Sequence, residues 1–412
     1  MSAATAGGER IVTLDLLRGI AVMGIFSVNV IGFAMPDPAY LNPNAYGGAS
    51  GANLAEWALN FILIDNKMRG LFSMLFGASL LLVVERAGAA GLSPAAVHYR
   101  RMAWLLVFGL AHYYLVWTGD ILSLYAPVGM AAFAFRKMPV ERLLIAACIF
   151  LVLDLAIMAE LARGFAIGEA AAAAPHASAQ TVAGWRADAE DLLPLQPQAL
   201  AADLALYRGP YGALLRERLD AERLGPLINL VLVGPQTLAL MLLGMAGLRS
   251  GFLTGAWRRE SYARLAWIAL PLPAAAQAFL AWRAWDGGFA ASTIFADYFL
   301  FSAPFYLPMT AGYAALVILL GARGGAAAAR IAAAGRAAFT NYLGTSLIAA
   351  GLFYGFDLYG RLSRWEAWLL VPLVWALMLL WSKPWLERFR YGPFEWLWRS
   401  LARGRPQPMR RG

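Results

Sequence analysis

Gly19-Ile20-Ala21-Val22-Met23-Gly24-Ile25-Phe26-Ser27-Val28-Asn29-Val30-Ile31-Gly32-Phe33-Ala34-Met35 is a stretch of seventeen residues without a charge, and apolar runs of similar length recur along most of the 412-residue chain. Hydrophobic residues make up 60% and charged residues 14% of the sequence, against roughly 25% charged in an average soluble domain. The reading is all-α: a polytopic transmembrane helical bundle of about ten spans. Spans are expected near 19–35, 70–85, 102–118, 121–135, 143–160, 226–248, 265–283, 297–320, 337–355 and 367–382. The runs 19–35, 70–85 and 121–135 are short for a hydrocarbon layer of ~30 Å, so they must extend into flanking turns or lie in a thinned bilayer.

Charge sets the expected orientation. With the N-terminus inside, 23 of the 34 lysines and arginines fall on the cytoplasmic side, eight of them in 383–412. Six of the remaining cations sit in the long connection 161–225, where the positive-inside rule is weak. Both termini are therefore expected in the cytoplasm. Met1 to Arg10 lack the basic n-region and cleavage site of a signal peptide, so the first span should be retained. Cys148 is the single cysteine, which rules out an intramolecular disulfide. The net charge of +9 alternates with the spans, so it points to anionic lipid headgroups rather than nucleic acid. Base rates for membrane enzymes point to a homodimer.

The chain divides into a five-span block at 1–160, an extracytoplasmic loop at 161–225 and a second five-span block with a cytoplasmic tail at 226–412. The loop reads either as a surface helix lying on the outer leaflet or as a lid over an outward cavity. Gly234-Pro235, Pro271, Pro273, Pro304 and Pro308 interrupt the second block, which places kinks where neighbouring helices or a wet cavity can satisfy freed carbonyls.

Polar groups inside spans are costly and point to function. Asp15, Arg18 and Asn29 fall within about 60° of one another on a helix, forming a polar stripe, with Asn29 roughly 16 Å beyond Arg18. An ion pair at the helix start also accounts for Asp15 and Arg18. Between the third and fourth spans runs His112-Tyr113-Tyr114-Leu115-Val116-Trp117-Thr118-Gly119-Asp120, a tight hairpin in which Asp120 occupies an N-cap position. His112 is the histidine expected within the membrane; in a continuous helix it would stand about 12 Å from Asp120. His98 is expected in a cytoplasmic loop. Lys67 and Arg69 read as snorkelling cations or as an outer anion site. Arg336, Asn341 and Tyr342 form a second polar cluster just inside the cytoplasmic face. No metal-ligand spacing, Walker loop or nucleophile elbow is present.

Taken together, Leu14-Asp15-Leu16-Leu17-Arg18-Gly19, His112…Trp117…Gly119-Asp120, Gly335-Arg336…Thr340-Asn341-Tyr342 and the tail Phe389…Gly392-Pro393-Phe394-Glu395 resemble the YeiB-like family of bacterial membrane proteins. That family is similar to transmembrane acyltransferases, which move an acyl group from cytosolic acyl-CoA to a sugar beyond the membrane. The resemblance implies residence in the bacterial cytoplasmic (inner) membrane, acyl-CoA as donor, and an envelope glycan or lipid as acceptor. Its catalytic histidine follows the first span, whereas this chain has no histidine between Asn29 and His98. The role then passes to His112, assisted by Asp120 and Asn29. Asp15, Arg18, Lys67, Arg69, Trp117, Arg336, Asn341 and Tyr342 would bind substrate. A transporter or flippase of a small amphiphile is the competing expectation.

The tail 389–399 is too short and too charged to cross the bilayer again. Pro393 is expected to start a helix reaching about Leu401 that lies on the membrane face, with Glu395 paired either to a loop cation or to Arg399.

Overall fold

The computed structural model describes residues 11–411. Residues 1–10, in which the sequence shows no signal peptide, lie outside this range. The described chain is helical, with one isolated two-residue bridge between Phe389 and Arg410. The first block contains α1 (Val12–Ala34), α2 (Gly51–Leu59), α3 (Lys67–Ala89), α4 (Pro94–Leu115), α5 (Leu122–Ala132) and α6 (Val140–Ala172). Three short helices follow: α7 (Ala179–Asp188), α8 (Pro197–Tyr207) and α9 (Tyr211–Asp220). The second block contains α10 (Gly225–Arg249), α11 (Arg259–Ala269), α12 (Pro271–Asp286), α13 (Ala291–Phe295), α14 (Ala303–Gly321), α15 (Ala326–Arg336) and α16 (Ala338–Ala350). It closes with α17 (Arg364–Trp368), α18 (Leu370–Arg388) and α19 (Pro393–Arg403).

Every run expected to span falls on a helix. Seven helical segments are long and apolar enough to cross a membrane: Val12–Ala34, Gly51–Ala89, Val140–Ala172, Gly225–Arg249, Arg259–Asp286, Ala303–Gly321 and Arg364–Arg388. The protein is therefore a multi-pass membrane protein. The runs 102–118, 121–135 and 337–355 are also helical but do not meet those limits. Leu122–Phe135 is short, and 337–355 is broken into α16 and a wide turn, Gly351–Gly355. Ile145, Ile149 and Val152 on α6, Leu272 and Phe279 on α12, and Leu373 and Leu380 on α18 are exposed. Such faces belong against acyl chains rather than water.

Local chemistry sets the helix ends. Ser93 and Ser178 accept the backbone N–H groups of Ala96 and Thr181, and Ser363 with Glu366 forms a reciprocal capping box. Between α2 and α3 the backbone loosens into a wide turn at Asn60–Ile64. Asn66 then takes a left-handed φ of 60°, and its N–H bonds to the Asp65 carboxylate at 2.8 Å. Lys67 therefore begins α3 in the interior. It is 1% exposed, with its ammonium donating to the Phe61 carbonyl at 2.5 Å, which corrects the snorkelling reading.

α1 runs through the centre, contacting α3, α14, α15, α16, α17 and α18. Glycines allow backbone-to-backbone contact at two crossings. A Cβ at Gly335 would stand 1.8 Å from the Asp15 carbonyl oxygen, and one at Gly19 would stand 2.1 Å from that of Ile331, so α15 lies directly on α1. Gly77 and Gly244 serve α3 and α10 in the same way. Gly335→Ala must push the two helices apart. We expect a loss of about 1–3 kcal/mol, from overpacking, read as a lower melting temperature in detergent; an unchanged melting curve would contradict the crossing.

Residues 161–225 form several helices tied to the bundle by hydrogen bonds. The 33-residue α6 is about 50 Å long and projects beyond a hydrocarbon layer of ~30 Å. α7–α9 fold back from its end onto the bundle. The Tyr211 hydroxyl donates to the Leu115 carbonyl at 2.6 Å, the Asn42 amide to that of Leu192 at 2.7 Å, and Arg208 Nε to that of Tyr359 at 2.8 Å. The segment is an ordered cap.

Candidate functional site

α4 and α5 form the predicted tight hairpin, and its geometry departs from a continuous helix in one decisive way. α4 ends at Leu115, with the Val116 and Trp117 N–H groups both bonded to the His112 carbonyl at 2.9 Å. The chain then reverses. Gly109 admits the start of α5 so closely that a Cβ there would lie 2.2 Å from Ser123 N. The reversal brings His112 and Asp120 together, with Nδ1 and Oδ1 2.8 Å apart, where the helical rise predicted about 12 Å. The other Asp120 oxygen accepts the Ser123 N–H at 2.6 Å. Asp120 thus caps α5 and orients the imidazole at once. Both side chains are buried, and among the described residues His112 Nε2 has no hydrogen-bond partner. An ionised carboxylate can only accept, so Nδ1 carries a proton, and in the neutral imidazole Nε2 presents a lone pair. The ring centroid of Tyr342 stands 5.3 Å from that of His112, and the Tyr342 hydroxyl accepts the Ile121 N–H at 3.3 Å.

Tyr342 also lines a cavity of about 620 Å³ that extends toward the C-terminal tail. Its lining is divided chemically. Leu122, Tyr125 and Tyr342 border the dyad end; Phe72, Phe76, Leu80 and Leu105 make an apolar wall; and Arg18, Arg86, Arg101, Arg336, Arg390 and Arg399 carry six positive charges. Asp15 and Glu395 are the lining carboxylates. Arg18 holds Asp15 at 3.3 Å and donates to the Ser79 hydroxyl at 2.9 Å. His98 is not in a surface loop as the sequence suggested. It is 1% exposed on α4, bonded to the Gly129 carbonyl at 2.9 Å and stacked on Phe133, and it too lines the cavity. The volume, the apolar wall and the arginine-rich lining together suit an amphiphile with a polyanionic head.

Asp15, Arg18, Arg336 and Tyr342 are therefore gathered in one place, with His112 and Asp120 directly behind. The other expected site residues are elsewhere. Asn29 is half-buried, makes no side-chain hydrogen bond among the described residues and is not part of the cavity wall, so the polar stripe of α1 ends at Arg18. Asn341 is structural: its amide donates to the Ala334 carbonyl at 3.0 Å and to Ser382 at 3.3 Å, and it accepts the Trp381 indole N–H at 2.9 Å. Trp117 is not part of the cavity wall. It stacks on Phe33 with centroids 4.2 Å apart and donates to the Gly32 carbonyl at 3.1 Å, tying the hairpin to α1. Arg69 belongs to a buried column above the cavity. Tyr125 bonds Ser73 at 2.6 Å, Ser73 donates to the Arg69 carbonyl at 2.9 Å, Arg69 donates to Gln236, and Gln236 donates to Asp154 at 3.2 Å.

The tail supplies Arg390, Tyr391, Glu395, Trp398 and Arg399 to the cavity lining. Pro393 begins α19 as expected, but Glu395 meets neither a loop cation nor Arg399 as its direct partner. Its carboxylate accepts the backbone N–H groups of Phe339 at 2.7 Å and Thr340 at 3.1 Å, capping α16 from outside the helix. Trp398 donates to the Arg101 carbonyl at 2.9 Å, and the Arg101 guanidinium lies 4.2 Å from its ring centre, so the aromatic face packs on protein rather than on lipid. Glu395→Ala leaves two amides and a hydroxyl unpaired in a buried site. We expect a loss of about 1.5–3 kcal/mol, visible as a melting temperature several degrees lower; no change would mean that the tail is not docked.

The sequence reading passed over His98, Arg101, Arg390 and Arg399. On α4 the signal was present, since His98, Arg101 or Met102, and Leu105 recur at helical spacing and share one face. The tail arginines join the site only through tertiary packing.

The family described as "Protein of unknown function (DUF418)" matches residues 248–405. The chain is also 31% identical over 415 residues to "Uncharacterized protein YeiB" of Escherichia coli (strain K12), covering 96% of each. It belongs to the YeiB-like family. "Uncharacterized protein YxaH" of Bacillus subtilis (strain 168) is 30% identical over 409 residues, covering 97% of this chain and 95% of the relative. An "Uncharacterized 39.9 kDa protein in amylase 3'region" of Bacillus acidopullulyticus is 24% identical over 411 residues. No solved structure matches. In this YeiB-like chain the cavity straddles the family segment. Gly335, Arg336, Tyr342, Arg390, Glu395 and Arg399 fall within 248–405, while Asp15, Arg18, His98 and Arg101 precede it.

Proposed function

We propose that the protein is a transmembrane acyltransferase of the bacterial inner membrane, with about ten spans and both termini cytoplasmic. It takes an acyl group from cytosolic acyl-CoA and passes it to an envelope acceptor. The observation that carries this reading is the arginine-lined 620 Å³ cavity ending beside the His112–Asp120 pair. The charge asymmetry of the sequence supports a cytoplasmic mouth, since the cavity opens beside the cation-rich tail.

The arginines at the mouth match the phosphates of CoA, and the Phe72–Phe76–Leu80–Leu105 wall matches the pantetheine arm and acyl chain. His112 Nε2 acts as general base on an acceptor hydroxyl or amine. The acceptor oxygen or nitrogen bonds to the thioester carbonyl carbon, the C–S bond breaks, and the proton held by His112 passes to the departing thiolate. Asp120 holds the imidazole in the required tautomer and balances its positive charge while the proton is held.

The direct test is binding and thiol release by purified protein. Acetyl-CoA should raise the melting temperature and free CoA should compete; no shift with either at millimolar concentration would sink the proposal. The buried column Tyr125–Ser73–Arg69–Gln236–Asp154 favours a second reading, transport without covalent chemistry, because it continues the polar path beyond the cavity.

A further inference from the structure

One residue in the wall of the arginine-lined cavity differs from its neighbours in hydrogen-bonding character. The six lining arginines can only donate. The lining carboxylates are engaged: Asp15 by Arg18, and Glu395 by the backbone amides of Phe339 and Thr340. His98, in the second turn of α4, lines the same cavity. Its Nε2 lies 2.9 Å from the Gly129 carbonyl on α5, and a carbonyl can only accept, so Nε2 carries a proton. Burial first, and then the charges of Arg101 and Arg136, push the His98 pKa down to about 4, against the bond to Gly129. The ring is therefore neutral near pH 7, and Nδ1 presents a lone pair. Nδ1 makes no hydrogen bond among the described residues, and it is not sealed from the space that His98 lines. Stacking on Phe133, with ring centres 5.0 Å apart, holds the imidazole in this orientation.

Arg101 follows His98 one turn later on α4, and its guanidinium lies 4.2 Å from the centre of the Trp398 ring. Trp398 is fixed in turn by donating to the Arg101 carbonyl at 2.9 Å. His98, Arg101 and Trp398 all line the cavity, so one turn of α4 and the tail it touches offer an acceptor, a cation and a flat aromatic ring. An anion alone would satisfy the arginines but leave Nδ1 without a donor. A purine nucleotide with an exocyclic amine supplies phosphates for the arginines, a ring face for Trp398 and an N–H for Nδ1.

We infer that His98 is a specificity residue whose Nδ1 accepts a hydrogen bond from the exocyclic amine of an adenine nucleotide, with the purine packed beside Arg101 and Trp398. This rests on the acyl-CoA reading of the cavity and deepens it: the donor is recognised by its base as well as by its phosphates. Exchanging the amine for an oxo group sets acceptor against acceptor, and a site built to take a hydrogen bond rejects the analogue that cannot give it.

The test is thermal-shift titration of the full chain in detergent with ADP, IDP and acetyl-CoA. ADP should bind at least about tenfold more tightly than IDP. Two variants separate recognition from a structural role. In His98→Gln the amide N–H can replace Nε2 and keep the Gly129 bond, while the acceptor at Nδ1 is lost; the ADP preference should fall to within about twofold of unity. In His98→Asn the amide oxygen can replace Nδ1 while the Gly129 bond is lost; the protein should melt at a lower temperature yet keep most of the preference. A merely structural histidine would give the opposite order, with Gln the better substitute in every respect. Equal binding of ADP and IDP to the wild type, or an unchanged preference in His98→Gln, would overturn the inference. If acetyl-CoA still shifts the melting curve in that case, only the role of His98 falls. If acetyl-CoA, ADP and IDP are all silent, the acyl-CoA reading falls with it.

Discussion

His112→Ala should lower acyl transfer or thiol release from acetyl-CoA by about 10²–10⁴-fold while leaving acetyl-CoA affinity within about twofold. The size follows from removing a positioned base whose Nε2 is, among the described residues, the one polar atom of the dyad without a partner. Affinity is spared because the cavity wall that would hold the CoA moiety is built from other residues; His112 adjoins it beside Tyr342, with ring centres 5.3 Å apart. Asp120→Asn should also slow the reaction strongly, because an amide can hold the imidazole in the wrong tautomer. Asp120 also caps α5, so its variant needs a melting curve alongside the rate. Equal rates for wild type and His112→Ala would remove His112 from the mechanism.

Arg18→Gln and Arg336→Gln should each raise KM for acyl-CoA by at least about tenfold with little change in kcat, since a charge-assisted hydrogen bond contributes about 1.5–3 kcal/mol. α1 and α15 touch backbone to backbone at Gly19 and Gly335, so the two arginines lie on one junction and their effects need not add. The loss should also shrink at high ionic strength, because the mouth presents six arginines against two carboxylates. A fall in kcat at constant KM would place these arginines at the reacting centre instead of the phosphate end.

The membrane bundle was legible because apolar runs and cation placement are local properties. The site was legible only in part. Asp15, Arg18, Arg336 and Tyr342 stood out because each is polar beside an apolar run, and the structure gathers them. Asn29 and Asn341 stood out for the same reason, yet Asn341 satisfies Ala334, Ser382 and Trp381, and Asn29 is not in the cavity wall. An amide in a span signals polarity, not direction. The His112–Asp120 contact was hidden because helical rise separates the two residues, and only the end of α4 at Leu115 folds them together. Glu395 shows the same limit: its partners are backbone N–H groups of α16, which side-chain pairing rules do not reveal.

The central claim is that the cavity hosts cleavage of a thioester and does not merely pass a molecule through. Reconstituted vesicles supplied with acetyl-CoA carrying one label on the acetyl group and another on the adenine test it directly. The account predicts that the labels separate, with the acetyl label appearing on an acceptor or in water while the adenine label stays on the side of addition, and that His112→Ala stops the separation. Both labels crossing together, or both remaining joined on the side of addition with wild-type protein, would contradict it.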